Sequence, residues 1–216
     1  MALLGGLLGV DGVSCLQSMI ARPIVAGPLA GLVVGDPIAG MWAGALLELV
    51  SLKQLPIGAN RHWDTGPAAV AATTAAVTIS PAGVALLVGV GFGTLLGVAG
   101  SWSIHVLRQV NARFVASRVG EPLGPTDLAR RHFAAMALDF GRAVALTLAG
   151  IGGVLLVTPW LGEAPQSAVA GAGFVLFVAA SAALGVVVGT MARGREVLFA
   201  FGIGILVSTM VTLWLR

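Results

Sequence analysis

Charge is scarce in this chain. Only 10% of its 216 residues are Asp, Glu, Lys or Arg, against about 25% in an ordinary soluble domain. With 57% of the residues hydrophobic, a fold surrounded by water would lack the polar side chains to cover its outside. A bilayer removes that demand, provided the backbone polar groups are satisfied internally. Cysteine is almost missing. Cys15 stands alone, which excludes an intrachain disulfide, and no Cys/His cluster has metal-ligand spacing. A Gly-rich phosphate loop ending in Gly-Lys-Ser/Thr is absent, as is a His-Glu-x-x-His pair. Asp11-Gly12 begins like a membrane alcohol phosphotransferase, but the further aspartates such an enzyme needs at helical spacing do not follow. No metal, cofactor or catalytic residue is therefore expected. The net charge of +3 comes from cations scattered at the ends of apolar runs, without interleaved aromatics. That pattern fits a cytoplasmic loop bias rather than nucleic-acid binding.

What is present is apolar length. Residues 133–160, 168–191 and 197–215 are each long enough to cross a hydrocarbon core of about 30 Å as a helix. The expected fold is all-α: a polytopic integral membrane protein, with broken or re-entrant helices in its N-terminal half and long transmembrane helices in its C-terminal half. The N-terminal stretch lacks a basic leader and a small-residue cleavage site, and reads as a retained membrane segment. Residues 1–21 form a first segment interrupted at Asp11-Gly12, and residues 23–35 are apolar but too short to span. Asp36-Pro37 predicts a helix start, because Asp caps free N–H groups and Pro is preset for the first turn. That helix runs to about Leu52. Residues 53–66 are polar and irregular. Pro67 predicts a small-residue helix through Ile79, and Ser80-Pro81 opens another to about Gly100.

Three regions follow: 1–100, a membrane region of Pro- and Gly-broken helices; 101–132, a basic amphipathic and loop segment; and 133–216, the C-terminal transmembrane helices. Residues 103–117 have the spacing of an interfacial helix. The Arg-rich 101–132 segment is expected in the cytoplasm, residues 161–167 outside, and the turn with Arg193 and Arg195 inside again. Glycines recur four residues apart at Gly27, Gly31 and Gly35, at Gly40 and Gly44, and at Gly89, Gly93 and Gly97. Such spacing puts small residues on one helix face and predicts close helix packing.

The polar residues of the front half are the candidates for chemistry. Glu48 lies in an apolar helix, where a charge at membrane depth costs roughly 2.5–3.5 kcal/mol on insertion scales. It either faces a polar cavity, pairs with Lys53 or Arg22, or lies near the membrane interface. Asn60 and Asp64 sit in the irregular stretch, which is either an aqueous loop or backbone lining a wet cavity. Trp63 lies in the same stretch and offers an apolar ring face. Trp42, Trp102, Trp160 and Trp214 sit near segment ends as interface anchors. His62 reads as a loop residue, and His105 and His132 as interfacial.

The run Arg22-Pro-Ile-Val-Ala-Gly-Pro-Leu-Ala-Gly-Leu-Val-Val-Gly-Asp36, followed by Gly40, Gly44-Ala-Leu-Leu-Glu48, Pro56-Ile-Gly-Ala59 and Asp64, resembles the membrane IIC subunit of the mannose/fructose/sorbose class of bacterial phosphotransferase systems. The match is specific over about residues 10–75. The resemblance implies a multi-pass protein of the bacterial inner membrane, assembled with a IID membrane subunit into an oligomeric sugar path and served by IIA and IIB phosphoryl carriers. It implies sugar contacts in the N-terminal half, around Glu48 and Asp64, with Asn60, Trp63 and Gln17 as further candidates. The chain departs from the family pattern at Trp63, where Pro is common, and at Arg61 and His62. Met19 stands where some members carry Gln, with Gln17 nearby but out of register. Two other readings are an accessory membrane protein of the same fold without transport and a membrane-embedded lipid-modifying enzyme. The second would need paired carboxylates at helical spacing or a metal cluster.

Overall fold

A computed structural model describes residues 1–52, 62–116 and 124–161, together with positions 173, 199 and 202. Among the described residues six helices follow in chain order: α1 (Ala2–Val13), α2 (Pro23–Val34), α3 (Pro37–Ser51), α4 (Thr65–Thr78), α5 (Ala82–Ala116) and α6 (Pro125–Val157), the last closing on a 3-10 turn at Thr158–Leu161. No strand occurs among the described residues. The first four helices have 12, 12, 15 and 14 residues. At about 1.5 Å per residue they are shorter than a hydrocarbon core of about 30 Å. The segments Ala82–Arg113 and Pro125–Leu161 are long and apolar enough to cross. The predicted spans 168–191 and 197–215 lie outside the described residues.

The Asp36-Pro37 start signal acts as expected. The Asp36 carboxylate accepts from the Ala39 N–H at 2.9 Å, with Pro37 in the first turn. Gly35, at φ 87°, ends α2 in the left-handed region that glycine enters without a Cβ penalty. This turn folds α3 back along α2. A Cβ on Gly27 would lie 2.7 Å from Gly44 Cα, and one on Gly40 would lie 2.9 Å from Gly31 Cα. The glycine rows of α2 and α3 therefore face each other, backbone against backbone.

Some boundaries differ from the sequence expectation. α6 begins at Pro125 rather than at 133, inside the segment expected as a basic loop. α4 begins at Thr65, two residues before Pro67. α5 does not stop near Gly100 but continues as one helix to Ala116, so the stretch predicted as an interfacial helix extends a spanning one. Nothing at Gly100-Ser101 breaks the backbone ladder, and the Ser103 hydroxyl donates back to the Gly100 carbonyl at 2.7 Å within the helix.

α4 is the centre. Every residue from Gly66 to Ala75 is buried, and α1, α2, α3, α5 and α6 all pack on it. Its small side chains allow so many neighbours. Two of its hydroxyls are satisfied within the helix, Thr74 donating to the Val70 carbonyl at 2.9 Å and Thr78 to that of Thr74 at 2.7 Å, while Thr73 donates to the Gly27 carbonyl on α2 at 3.4 Å. The outside is apolar, with Leu3, Leu32, Ile38, Leu95, Leu156 and Trp160 exposed. The interior holds Asp11, Glu48, Asp64 and Asp139. Large apolar side chains outside and carboxylates inside are what a lipid-facing bundle presents.

Candidate functional site

The N-terminal end of α4 opens into a cavity of about 380 Å³, within the roughly 300–1,000 Å³ of small-molecule sites. The end of α1 and the segment joining it to α2 contribute Asp11, Gln17 and Arg22. The start of α4 contributes His62, Trp63, Asp64 and Thr65, α3 contributes Ser51, and α5 contributes Arg108.

The α1–α2 segment is strained at the cavity. Leu16, Gln17 and Met19 have φ values of 61°, 51° and 66°, a region costing L-residues roughly 1–3 kcal/mol each unless the surroundings impose it. Asp11 helps impose it. Its Oδ1 accepts from the Ser18 N–H at 2.9 Å and the Ser18 hydroxyl at 2.6 Å, and its Oδ2 from the Ala21 N–H at 3.2 Å. The Thr65 hydroxyl then donates to the Ala21 carbonyl at 2.9 Å, tying the segment to α4. The residue that breaks the apolar run of α1 thus organises the segment that carries Gln17 to the cavity.

Asp64 precedes α4 but makes no side-chain cap bond to it. Its carboxylate turns to α6 instead, where Arg142 Nη1 donates to Oδ2 at 2.6 Å. The same Nη1 reaches the Ser103 Oγ at 2.9 Å. Arg142 Nε donates to Asp139 Oδ1 at 2.9 Å, while Nη2, 2.8 Å from that oxygen, is too poorly aligned to donate. The Ser14 hydroxyl donates to the other Asp139 oxygen. Two glycines on α5 admit the start of α4. A Cβ on Gly97 would lie 3.2 Å from Trp63 Cβ, and one on Gly100 would lie 3.3 Å from Asp64 Cγ. The Asp64 N–H donates to the Gly97 carbonyl at 3.2 Å, which fixes the register of α4 on α5.

Glu48 is placed differently. Its Oε1 pairs with Arg22, and its Oε2 accepts from the Ile24 N–H at 3.3 Å. Both oxygens are therefore used at the N-terminal end of α2, where an anion also meets the positive end of the helix dipole. Glu48 does not line the cavity; Arg22 does.

Of the residues proposed from sequence, the cavity brings together Gln17, Trp63 and Asp64. Glu48 stands behind Arg22, and Asn60 lies outside the described residues. The sequence reading missed Asp11, Arg22, Arg108 and His62 as lining residues, and Asp139 and Arg142 as partners of Asp64. His62 Nε2 is buried with no hydrogen-bond partner among the described residues. Asp139 and Arg142 did carry a signal, since they are charges in the apolar run 133–160 just as Glu48 is in its own.

The profile of the family described as "PTS system sorbose-specific iic component" matches residues 1–213. The "PTS system sorbose-specific EIIC component" of Lacticaseibacillus casei is 29% identical over 120 residues, 55% of this chain. The chain spans 42% of that relative's length. The "Putative N-acetylgalactosamine permease IIC component 2" of Escherichia coli (strain K12) is 32% identical over 123 residues, 57% of this chain and 84% of the relative. A solved structure entitled "Structure of membrane protein" superposes with a TM-score of 0.72 at 19% identity, covering 99% of this chain and 92% of the other, and so shares its fold. The chain belongs to the sorbose-type IIC family of phosphotransferase-system components.

Proposed function

We propose that this chain is a IIC subunit that carries a sugar through the bacterial inner membrane, in a multi-pass complex with a IID subunit and coupled to phosphorylation by IIB. The supporting observation is the state of Asp64. One oxygen of its carboxylate is held by Arg142, and the other takes no protein hydrogen bond among the described residues while the side chain lines the cavity. A fixed carboxylate with a free oxygen suits a sugar hydroxyl. The Trp63 indole beside it suits the apolar face of a pyranose ring, and the Gln17 amide can both donate and accept. Asn60, outside the described residues, is a further candidate contact from the sequence. Glu48 contributes through Arg22, which it aims at the cavity. The sugars in the relatives' names, sorbose and N-acetylgalactosamine, are the first substrates to try.

The test is uptake by the assembled permease, supplied with phosphorylated IIB and a panel of labelled sugars that includes those two. A hydrogen bond to a charged group contributes roughly 1.5–3 kcal/mol, and about 1.4 kcal/mol is one decade of affinity. Asp64→Asn should therefore raise KM about tenfold or more in complexes that still assemble. Uptake of none of the sugars by the wild type would favour an accessory protein of the same fold. An unchanged KM in assembled Asp64→Asn complexes would remove Asp64 from the site.

A further inference from the structure

We infer that Arg142 is a positioning residue of the sugar site, which acts on substrate through Asp64, and that Asp139 orients it. The inference rests on the reading of Asp64 as a sugar contact and extends the site to a helix that none of the sequence candidates occupies.

The geometry is specific. Asp64 makes no cap bond to its own helix. The side-chain contact that fixes its carboxylate is Arg142, at 2.6 Å. Arg142 in turn is held at both ends of its guanidinium. Nε is fixed by Asp139 at 2.9 Å, one turn back on α6, and Nη1 lies 2.9 Å from the Ser103 Oγ on α5. Asp139 is wholly buried and is itself fixed by the hydroxyl of Ser14, at the C-terminal end of α1. The chain of contacts Ser14–Asp139–Arg142–Asp64 therefore joins the C-terminal end of α1, the middle of α6 and the start of α4 beside the cavity. It leaves one Asp64 oxygen for a ligand.

Acceptor count argues in the same direction. Two carboxylates share one guanidinium, which uses one oxygen of each. Here the surplus acceptor capacity lies on the cavity side, at Asp64, where hydroxyl donors from a substrate can use it. The planar fork of arginine matters because it addresses two carboxylates along separate edges. Lysine carries the same charge but directs it as a point.

The decisive experiment uses the assembled permease and the panel sugar that the wild type transports. Arg142→Lys keeps the buried charge, and co-purification of the partner subunit reports whether the complex assembles. Its KM should rise at least fivefold, with the maximal rate per assembled complex changed less than twofold. The double variant Asp64→Asn/Arg142→Lys should be no worse in KM than Asp64→Asn alone, because a residue acting through Asp64 has nothing to act on once that carboxylate is gone. Asp139→Asn should give a smaller rise of the same kind, which also carries the test should a lysine at 142 fail to assemble. Full additivity of the 64 and 142 substitutions, or an unchanged KM in assembled Arg142→Lys and Asp139→Asn complexes, would overturn the inference. If instead Asp64→Asn itself leaves KM unchanged, the reading of the sugar site is what fails.

Discussion

Gly100→Ala adds one methyl group to α5 at the point where α5 meets Asp64. The new Cβ would lie 2.9 Å from Leu146 Cδ2 and 3.3 Å from Asp64 Cγ, and still closer to Asp64 Cβ. Leu146 can swing its terminal methyl aside. Asp64 cannot easily yield, since its N–H is bonded to the Gly97 carbonyl at 3.2 Å and its carboxylate to Arg142 at 2.6 Å. Carbon atoms pack at about 3.5–4.0 Å, so relief needs a displacement of about 1 Å, enough to take the Arg142 contact beyond the roughly 3.2 Å limit of a good hydrogen bond. Overpacking of this kind costs about 1–3 kcal/mol. Alanine offsets up to about 1 kcal/mol of that by its better helix propensity. The net expectation is a loss of about 1–2 kcal/mol in stability, together with a KM near that of Asp64→Asn. Gly91→Ala is the control, because nothing lies within 4 Å of an added Cβ there and it sits on the same helix. It should be neutral or slightly stabilising. Thermal unfolding of the detergent-purified complex and sugar uptake measure the two effects. If Gly100→Ala matched Gly91→Ala in both, the close seating of Asp64 on α5 would be refuted.

Glu48→Gln should lower the yield and melting temperature of the complex before it affects sugar KM, because its oxygens serve Arg22 and Ile24; a large KM rise with full assembly would put Glu48 in contact with sugar. In a Cys15→Ser background, cysteine at Ser167 should react with an impermeant reagent from outside and cysteine at Thr126 should not, following the Arg asymmetry, and the reverse pattern would invert the orientation. The isolated chain should accept no stable phosphoryl group from the phosphorylated carriers, and stable labelling would show that it holds an acceptor of its own.

The fold was legible wherever a local rule decides it. Asp36-Pro37 marks a helix start because capping and a preset φ are properties of two adjacent residues. The glycine rows predicted close packing because four-residue spacing is itself the geometry of a helix face. The end of α5 was misread because Gly100 and Ser101 look like a break in composition. Within a long helix a glycine costs only about 1 kcal/mol, too little to stop it, and here its missing side chain makes room for Asp64.

The candidate site was half legible for a related reason. A charge in an apolar helix announces that it has a partner, but sequence does not say which. Glu48 carried that signal, and its partner Arg22 was one of the two foreseen. Asp64 carried a weaker one, because an Asp before Thr-Gly-Pro also reads as an ordinary cap. Its partner Arg142 is 78 positions away, beyond the reach of any local rule. Asp139 and Arg142 stand three apart in an apolar helix, so the argument applied to Glu48 would have flagged them without naming their target.

The position of the cavity follows from the same packing that makes the core. From Gly66 to Ala75, α4 is enclosed by helices that approach closely because its side chains are small. Nothing the size of a sugar fits along that length. Space opens where α4 begins, because there Trp63 and Asp64 replace alanines and the strained α1–α2 segment lies over them. Asp11 holds the segment above the cavity and Arg142 holds Asp64 beside it. Because Asp139 on α6 also takes the Ser14 hydroxyl from the end of α1, movement of α6 relative to α1 would shift the Asp64 carboxylate at the cavity without any change along α4.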